Sequence, residues 1–241
     1  MQILIASPTY GGVGPEHMRA VMALQLWMVE QGLKVKTLHH SMAEVARSRN
    51  ILATLFYEQP ELTHMLFVDS DIDFEPAAVA ALIAADKPLV GCVYPRRAID
   101  FDRLIAAARR LTDRKAIIAS AMDYVVVPDE GETVEVHNGA CKVAGIGMGL
   151  CLIRRDVLEG LLAAGGIKQD ASGAAGRPMK GPVLGFFDPI TTETGFLAED
   201  LSFCRRWRAA GGEVWAVIDQ EITHVGPMAF KARMIDALEA G

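Results

Sequence analysis

An apolar run, His64-Met65-Leu66-Phe67-Val68, leads straight into Asp69-Ser70-Asp71-Ile72-Asp73. Three carboxylates at every second position repel one another and take up protons unless a cation or hydrogen-bond donors compensate them. A hard divalent ion, Mg²⁺ or Mn²⁺, is the natural compensation. In an extended chain the three acids project to one side, so that one can hold a metal while another meets a hydroxyl group. The same residues also read as a solvated acidic turn capping a helix that opens at Pro76.

A second acidic pair, Glu199-Asp200, opens a stretch that continues as Leu201-Ser202-Phe203-Cys204-Arg205-Arg206-Trp207. A carboxylate in a first helical turn is stabilised in its ionised form, which keeps it able to accept a proton. Taken alone, the pair reads as ordinary charge placement at a helix start. His224 can add a nitrogen to an oxygen-rich metal site, a combination that suits Mn²⁺ better than Mg²⁺. The other histidines, His17, His39, His40, His64 and His137, show no spacing that suggests a ligand pair. Arg96 and Arg97 follow an apolar run directly, where guanidinium forks would meet a phosphate. Arg47 reads as part of a solvated charged face.

The elements that must position these residues alternate between strand and helix. Short apolar runs at 3–6, 35–38, 65–68 and 88–93 are separated by helical patterns at 15–31, 43–57 and 76–85, with another at 100–111. That rhythm predicts a parallel sheet covered by helices, and ligands in such sheets sit outside the carboxyl ends of the strands, where Asp69 falls. Pro15 suits a first helical turn and Gly32 the position just past a helix end. From 114 to 153 the character changes to short strand-like runs at 116–119, 124–127, 133–136 and 148–153, which predict mixed or antiparallel pairing. Residues 165–182, rich in Gly, Ala and Pro, read as a mobile loop and a candidate lid. A helix at 198–210, a strand at 214–218 and a last helical stretch at 228–239 complete the chain.

Hydrophobic residues make up 51% of the 241 and charged residues 22%, which excludes a disordered or fibrous chain. A formal charge of −6 argues against the nucleic-acid backbone as a partner. Four cysteines at 92, 141, 151 and 204 form no C-x-x-C pair, so they read as small apolar fillers in a reducing compartment, with no structural zinc. The apolar region before Ser7 is too short for a signal peptide and no run is long enough to span a bilayer. The expectation is a cytoplasmic protein with at most peripheral membrane contact.

Taken together, Ser7-Pro8-Thr9-Tyr10, Arg49-Asn50, Asp69-Ser70-Asp71, Val90 to Arg97, Gly145 to Gly149 with Leu152 to Arg155, Glu199-Asp200 with Phe203 to Arg206, and His224 occur in an order that resembles GT-A fold glycosyltransferases. The likeness is greatest to small bacterial members of the family 2 type. The resemblance implies an α/β fold with a Rossmann-like, mostly parallel central sheet flanked by helices and a smaller mixed or antiparallel sheet on the acceptor side. It implies a single domain over 1–241, with a nucleotide-sugar-binding half to about 111 and an acceptor-binding half from about 112.

It also implies roles. Pro8, Thr9 and Tyr10 look like the loop that meets the base, with Arg49 and Asn50 as nucleotide or diphosphate contacts. Asp69 and Ser70 would meet the ribose or donor sugar, Arg96 and Arg97 the diphosphate, and Gly147 a close approach of backbone to substrate. Asp71 and His224, with Asp69, would hold Mn²⁺ or Mg²⁺. Asp200, beside Glu199, would deprotonate the acceptor hydroxyl in a hexosyl transfer that inverts the anomeric centre. The donor would be a nucleotide-diphosphate sugar, the acceptor a saccharide or a lipid-linked one, and a homo-oligomer is left open. Two rivals stand beside this reading. One is a haloacid-dehalogenase-type phosphatase, disfavoured because Asp73 stands where a threonine or valine is expected. The other is a nucleotide-sugar-binding protein without transferase activity.

Overall fold

A computed structural model describes residues 1–129, 136–137, 139–171, 179–193 and 195–227. The chain starts with β1 (Gln2–Thr9), α1 (Pro15–Glu30), β2 (Lys34–Ser41), α2 (Val45–Tyr57) and β3 (His64–Val68). A two-residue strand β4 (Ile72–Asp73) precedes α3 (Pro76–Ala85), β5 (Leu89–Cys92), α4 (Phe101–Ala108) and α5 (Arg114–Ser120). Next come β6 (Val126–Pro128), β7 (Val136–His137), β8 (Ala140–Ile146), β9 (Leu150–Arg154) and α6 (Arg155–Ala164). Four short strands, β10 (Gln169–Asp170), β11 (Val183–Leu184), β12 (Ile190–Thr192) and β13 (Gly195–Leu197), lead to α7 (Glu199–Ala209), β14 (Val214–Val217) and β15 (Thr223–His224).

The main sheet runs β2-β1-β3-β9-β5-β14-β8-β6, with β7 also on β8. The pairs β1/β2, β1/β3 and β5/β14 are parallel, whereas β9 and β8 run against their neighbours. Most strands therefore point one way, as the alternating pattern predicts, and three two-stranded antiparallel ribbons stand apart from the sheet. Alternate residues of each strand face opposite layers. Ile3 and Ile5 pack with α1 and α3, while Leu4 and Ala6 pack with α2, α6 and α7. Pro15 opens α1, and Gly32 lies just beyond its end at φ +70°, a left-handed turn that a glycine takes without strain. All four cysteines are free and buried. Among the described residues no helix is long and apolar enough to cross a membrane.

Three expectations are corrected. The run at 116–119 is not a strand but part of α5, whose first turn is capped by the Asp113 carboxylate accepting from the Lys115 and Ala116 N–H groups. Asp69 to Asp73 is not extended: the Ile72 N–H donates to the Asp69 carbonyl at 3.1 Å, closing a tight turn over Ser70 and Asp71. The stretch 165–182 is not a plain loop, because Gln169–Asp170 pairs antiparallel with Val183–Leu184. Residues 172–178, most of the strand expected at 133–136 and the helix expected at 228–239 lie outside the described residues.

Candidate functional site

The turn after β3 sends its three carboxylates to separate partners. Asp69 Oδ2 accepts from Arg49 Nη2 at 3.0 Å, Asp71 Oδ2 lies 3.2 Å from His224 Nε2 and 3.1 Å from Arg97 Nη1, and Asp73 pairs with Arg19 at 2.5 Å. The turn explains this scatter, since only a straight strand would aim all three the same way. Of the two acids in Asp71-Ile72-Asp73, Asp71 faces the histidine and Asp73 faces Arg19 of α1. Mutual repulsion among the acids is met by the protein's own cations.

His224 reaches Asp71 because β15 pairs antiparallel with β4, setting His224 opposite Ile72, and because the Val225 N–H donates to the Asp71 carbonyl at 2.8 Å. Its Nδ1 donates to the Pro95 carbonyl at 3.0 Å, which fixes the ring with Nε2 toward the carboxylate. Burial works against the charge of Asp71, but the His224 hydrogen bond and the charges of His224 and Arg97 outweigh it and hold this carboxyl below its ordinary value. The Asp71 hydrogen bond raises the proton affinity of His224, more than offsetting the opposing effect of burial.

The donor set of this pair, one imidazole nitrogen and one carboxylate oxygen converging at 3.2 Å, fits a divalent ion that takes its remaining ligands from substrate and water. Asp69 stands apart from it, turned to Arg49, and among the described residues no group of three or more His, Cys, Asp or Glu side chains could hold a metal.

Arg49 is buried at 3% exposure on α2, where its guanidinium joins the two acidic segments. Nη2 donates to Asp69 and Nε to Glu199 Oε1 at 3.3 Å, and the group lies 5.1 Å from the centre of the Phe67 ring. Burial opposes its charge, but Asp69 and Glu199 together raise its proton affinity above the ordinary value. Beside Glu199, Asp200 starts α7 with Oδ1 accepting from the Leu201 N–H at 2.7 Å. Burial, followed by the charge of Glu199, raises its pKa. Burial pushes the Tyr94 hydroxyl well above the ordinary tyrosine range, with the charges of Asp69 and Asp200 acting in the same direction and that of Arg49 against it.

Among the described residues, four buried side-chain polar atoms lack a hydrogen-bond partner: Ser7 Oγ, His17 Nε2, Arg49 Nη1 and Asp69 Oδ1. Buried polar groups are nearly always satisfied, and each exception asks for a cause. These four share one place, the carboxyl ends of β1 and β3 and the helices beside them.

Other expected site residues fall into two groups. Tyr10 is 78% exposed just after β1, and Thr9, the last residue of that strand, is buried. Arg96 and Arg97 are exposed beyond β5, next to an apolar cavity of about 700 Å³ that Ile99, Phe101, Met122 and His224 help to line. Pro8 pairs in register with His40, and Ser70 occupies the turn, half-buried.

Asn50 and Gly147 are spent on structure. Asn50 Nδ2 donates to Asp188 at 2.8 Å and its Oδ1 accepts from the Phe187 N–H at 2.6 Å. A Cβ on Gly147 would come within 2.3 Å of the Tyr94 hydroxyl, so the space that the glycine leaves is filled by that tyrosine. Arg47, expected in solvent, is half-buried and paired with Asp170.

Three contributors have no role assigned to them in the sequence analysis. Tyr94 accepts from the Gly149 N–H at 3.1 Å. Arg19 pairs with Asp73, and His17 is 1% exposed with Nδ1 donating to the Asp69 carbonyl at 3.0 Å. The rings of His17 and His39, which show no ligand spacing in sequence, meet edge to face at 5.8 Å. Only the parallel β1/β2 register, which sets His39 beside Ser7 and under α1, brings them together.

No family model and no curated protein sequence matches the chain. Among solved structures, A197 from STIV aligns at 17% identity over 97% of this chain and 98% of that one, with a TM-score of 0.47. GalNAc-T7 with UDP, GalNAc and Mn²⁺ aligns at 11% identity over 94% of this chain and 44% of its own, with a TM-score of 0.49. The inositol-1-phosphate CTP transferase from T. maritima aligns at 10% identity over 99% and 94%, with a TM-score of 0.43. At such scores and identities the likeness bears on the course of the chain alone, and the chemistry rests on the side chains described above.

Proposed function

We propose that the chain is a GT-A-type glycosyltransferase that moves a sugar from a nucleotide-diphosphate donor to an acceptor hydroxyl, with inversion at the anomeric carbon. The observation that carries this reading is the Asp71–His224 pair at the turn after β3, joined through Arg49, which bonds both Asp69 and Glu199, to the segment that carries Asp200, an acid whose proton affinity is raised. Arg49 Nη1 and Asp69 Oδ1 offer one donor and one acceptor, the complement of a ribose or sugar hydroxyl. Arg96 and Arg97 supply positive charge where a diphosphate would lie. The half up to about residue 111 thus holds the donor, and the remainder adds the base and His224.

A sugar hydroxyl is a poor nucleophile, so its attack needs a proton acceptor on one side and charge neutralisation of the leaving diphosphate on the other. Asp200 is the proton acceptor, and the rise in its pKa brings it closer to the ideal of a base matched to its working pH. Glu199 acts as a positioning residue by holding Arg49 against Asp69. Asp71 and His224 would hold Mn²⁺ or Mg²⁺, which when bound supplies positive charge to the departing phosphate. The acceptor is a saccharide, free or lipid-linked.

The test is calorimetric titration of nucleoside diphosphates with and without Mn²⁺, followed by turnover assays with the matching nucleotide sugars. Metal-dependent binding that is lost in Asp71→Asn is expected, together with sugar transfer that is lost in Asp200→Asn while binding persists. Absence of nucleotide binding under all conditions sinks the reading. Binding without turnover on any saccharide or lipid-linked acceptor would replace the enzyme with a nucleotide-sugar-binding protein.

A further inference from the structure

From Ala20 to Val29 α1 carries no charged residue, although one side of the helix lies at the surface. His17, Ala20, Val21, Leu24 and Met28 form its buried side. The opposite side is also apolar: Met18, Met22, Leu26 and Val29 recur at helical spacing and are each half or more exposed, Leu26 at 67%. A surface helix ordinarily turns polar residues to water, and one that is apolar all round is covered on both sides.

The uncharged surface continues onto α3, which packs beside α1 and has no charged residue from Pro76 to Ala85. Ala77, Ala80 and Ala84 share one face of α3, the first and last of them exposed and Ala80 half-buried. Small side chains on that flank let a partner lie close to the methionine and leucine row. Contiguous exposed apolar surface of this kind marks a site of association in soluble proteins.

The charges at the ends of the row decide between occupants. Apart from its histidine, α1 offers a single basic residue, Arg19, against Glu16 and Glu30, and Arg19 already serves Asp73 and Glu75. An anionic bilayer calls for a basic rim, which this helix lacks. A second copy of the chain fits it instead. Arg19 and Glu30 lie about three helical turns apart on one flank of the row, and the row itself, from Met18 to Val29, has the same length. The two spans share a midpoint beside Leu24, to within a residue. A two-fold axis crossing the helix there lays the row antiparallel on itself and sets Arg19 of each copy beside the partner's Glu30. A parallel pair would set like charges level with one another.

We propose that α1 is a self-association surface, through which two copies of the chain pair with their α1 helices antiparallel. Met22 of one copy faces the partner's Leu26, and Arg19–Glu30 pairs close both ends. The proposal is independent of the nucleotide-sugar reading. One helix pair of this length buries roughly 1,000 Å² in total, at the low end for specific interfaces, so the dimer is reversible, with a Kd on the order of micromolar.

The experiment is sedimentation velocity of the full chain from micromolar to near-millimolar concentration, where a concentration-dependent dimer is expected. Leu26→Glu should raise the dimer Kd roughly tenfold or more, and Glu30→Arg, which meets the partner's Arg19 with a like charge, about threefold. Both positions are exposed in the single chain, so the monomer's melting temperature should hold in each variant, which separates lost association from lost folding. Orientation is read by mild oxidation of mixed chains. Met18→Cys with Val29→Cys should form an intermolecular disulfide that Met18→Cys alone does not, against a background of native cysteines that are all buried. This second readout leaves the core untouched and stands if Leu26→Glu fails to fold. A chain that stays monomeric throughout overturns the proposal, and so does a dimer indifferent to Leu26→Glu, which would use another face. Cross-linking of Met18→Cys to itself refutes the antiparallel arrangement. A monomer that floats with phosphatidylcholine vesicles, and loses them in Leu26→Glu, gives the face to a lipid surface and overturns the proposal as well.

Discussion

Asp71 and Asp200 are the same residue type in opposite surroundings, and that difference divides their roles. Asp71 faces an imidazole and a guanidinium that favour its charged form, whereas Asp200 is buried beside another acid, which favours the proton. Pairs of acids pushed apart in this way are how one site keeps one carboxylate as a ligand and another as a base. Asp200→Asn is expected to lower kcat by about 10²- to 10⁴-fold with donor affinity within about twofold of the parent, measured by steady-state kinetics and titration. A variant with full turnover would remove the base assignment.

A second expectation at this scale concerns pH. His17 has a pKa below its unfolded value of 6.5, because of burial, so below that pH the unfolded chain takes up a proton that the folded one refuses. Its contribution is intact at higher pH and is lost as pH falls below about 6.5. His224 has the opposite sense, raised by Asp71, and its contribution is lost as pH rises. His17→Phe should therefore flatten the acid side of the melting-temperature profile in scanning calorimetry without touching the alkaline side, and an unchanged acid slope contradicts it. The acids, His224 and the arginines stand out in sequence by type and spacing. His17 and Tyr94 do not, because their roles exist only once α1 and β5 dock against the turn after β3.

At the scale of elements, α2 does more than cover the sheet. Its Asn50 holds Phe187 and Asp188, and Thr54 Oγ1 accepts from the Leu184 N–H at 2.9 Å, so one helix face ties down the segment that leads to α7. Asn50→Ala leaves a buried N–H at Phe187 unpaired and is expected to cost about 2–3 kcal/mol, read by denaturant unfolding. Because α7 carries Glu199 and Asp200, the same variant should lower kcat more than it weakens donor binding. A stability loss under about 0.5 kcal/mol would mean that the tie is redundant. Helices and strands up to β5 were legible from their period and from Pro15 and Gly32. The error at 116–119 has a physical source: Ala116-Ile117-Ile118-Ala119 is a four-residue apolar run, too short for its period to separate helix from strand. Asp113, three residues before Ala116, carried the missed signal of a helix cap.

The order of the main sheet sets the behaviour of the whole molecule. Between β3 and β5, both from the first half of the chain, lies β9, and the other neighbour of β5 is β14. Neither insertion is written in local pattern, since β9 reads as one apolar run among several and its antiparallel place depends on pairing Leu66 with Leu152 and Val90 with the same residue. Residues 1–111 alone would leave both edges of β5 and one edge of β3 unpaired, exposing backbone groups and the apolar faces that β9 covers. The halves that we propose for donor and acceptor are thus woven into one sheet. Residues 1–111 expressed alone should lack cooperative unfolding by circular dichroism and bind no nucleotide, although they contain Asp69 and Asp71. Supplied with residues 112–241 as a separate chain, they should regain both, because the missing strands then return to their places. A fragment that melts cooperatively by itself would show that the first half carries its own core and that β9 and β14 are additions to it.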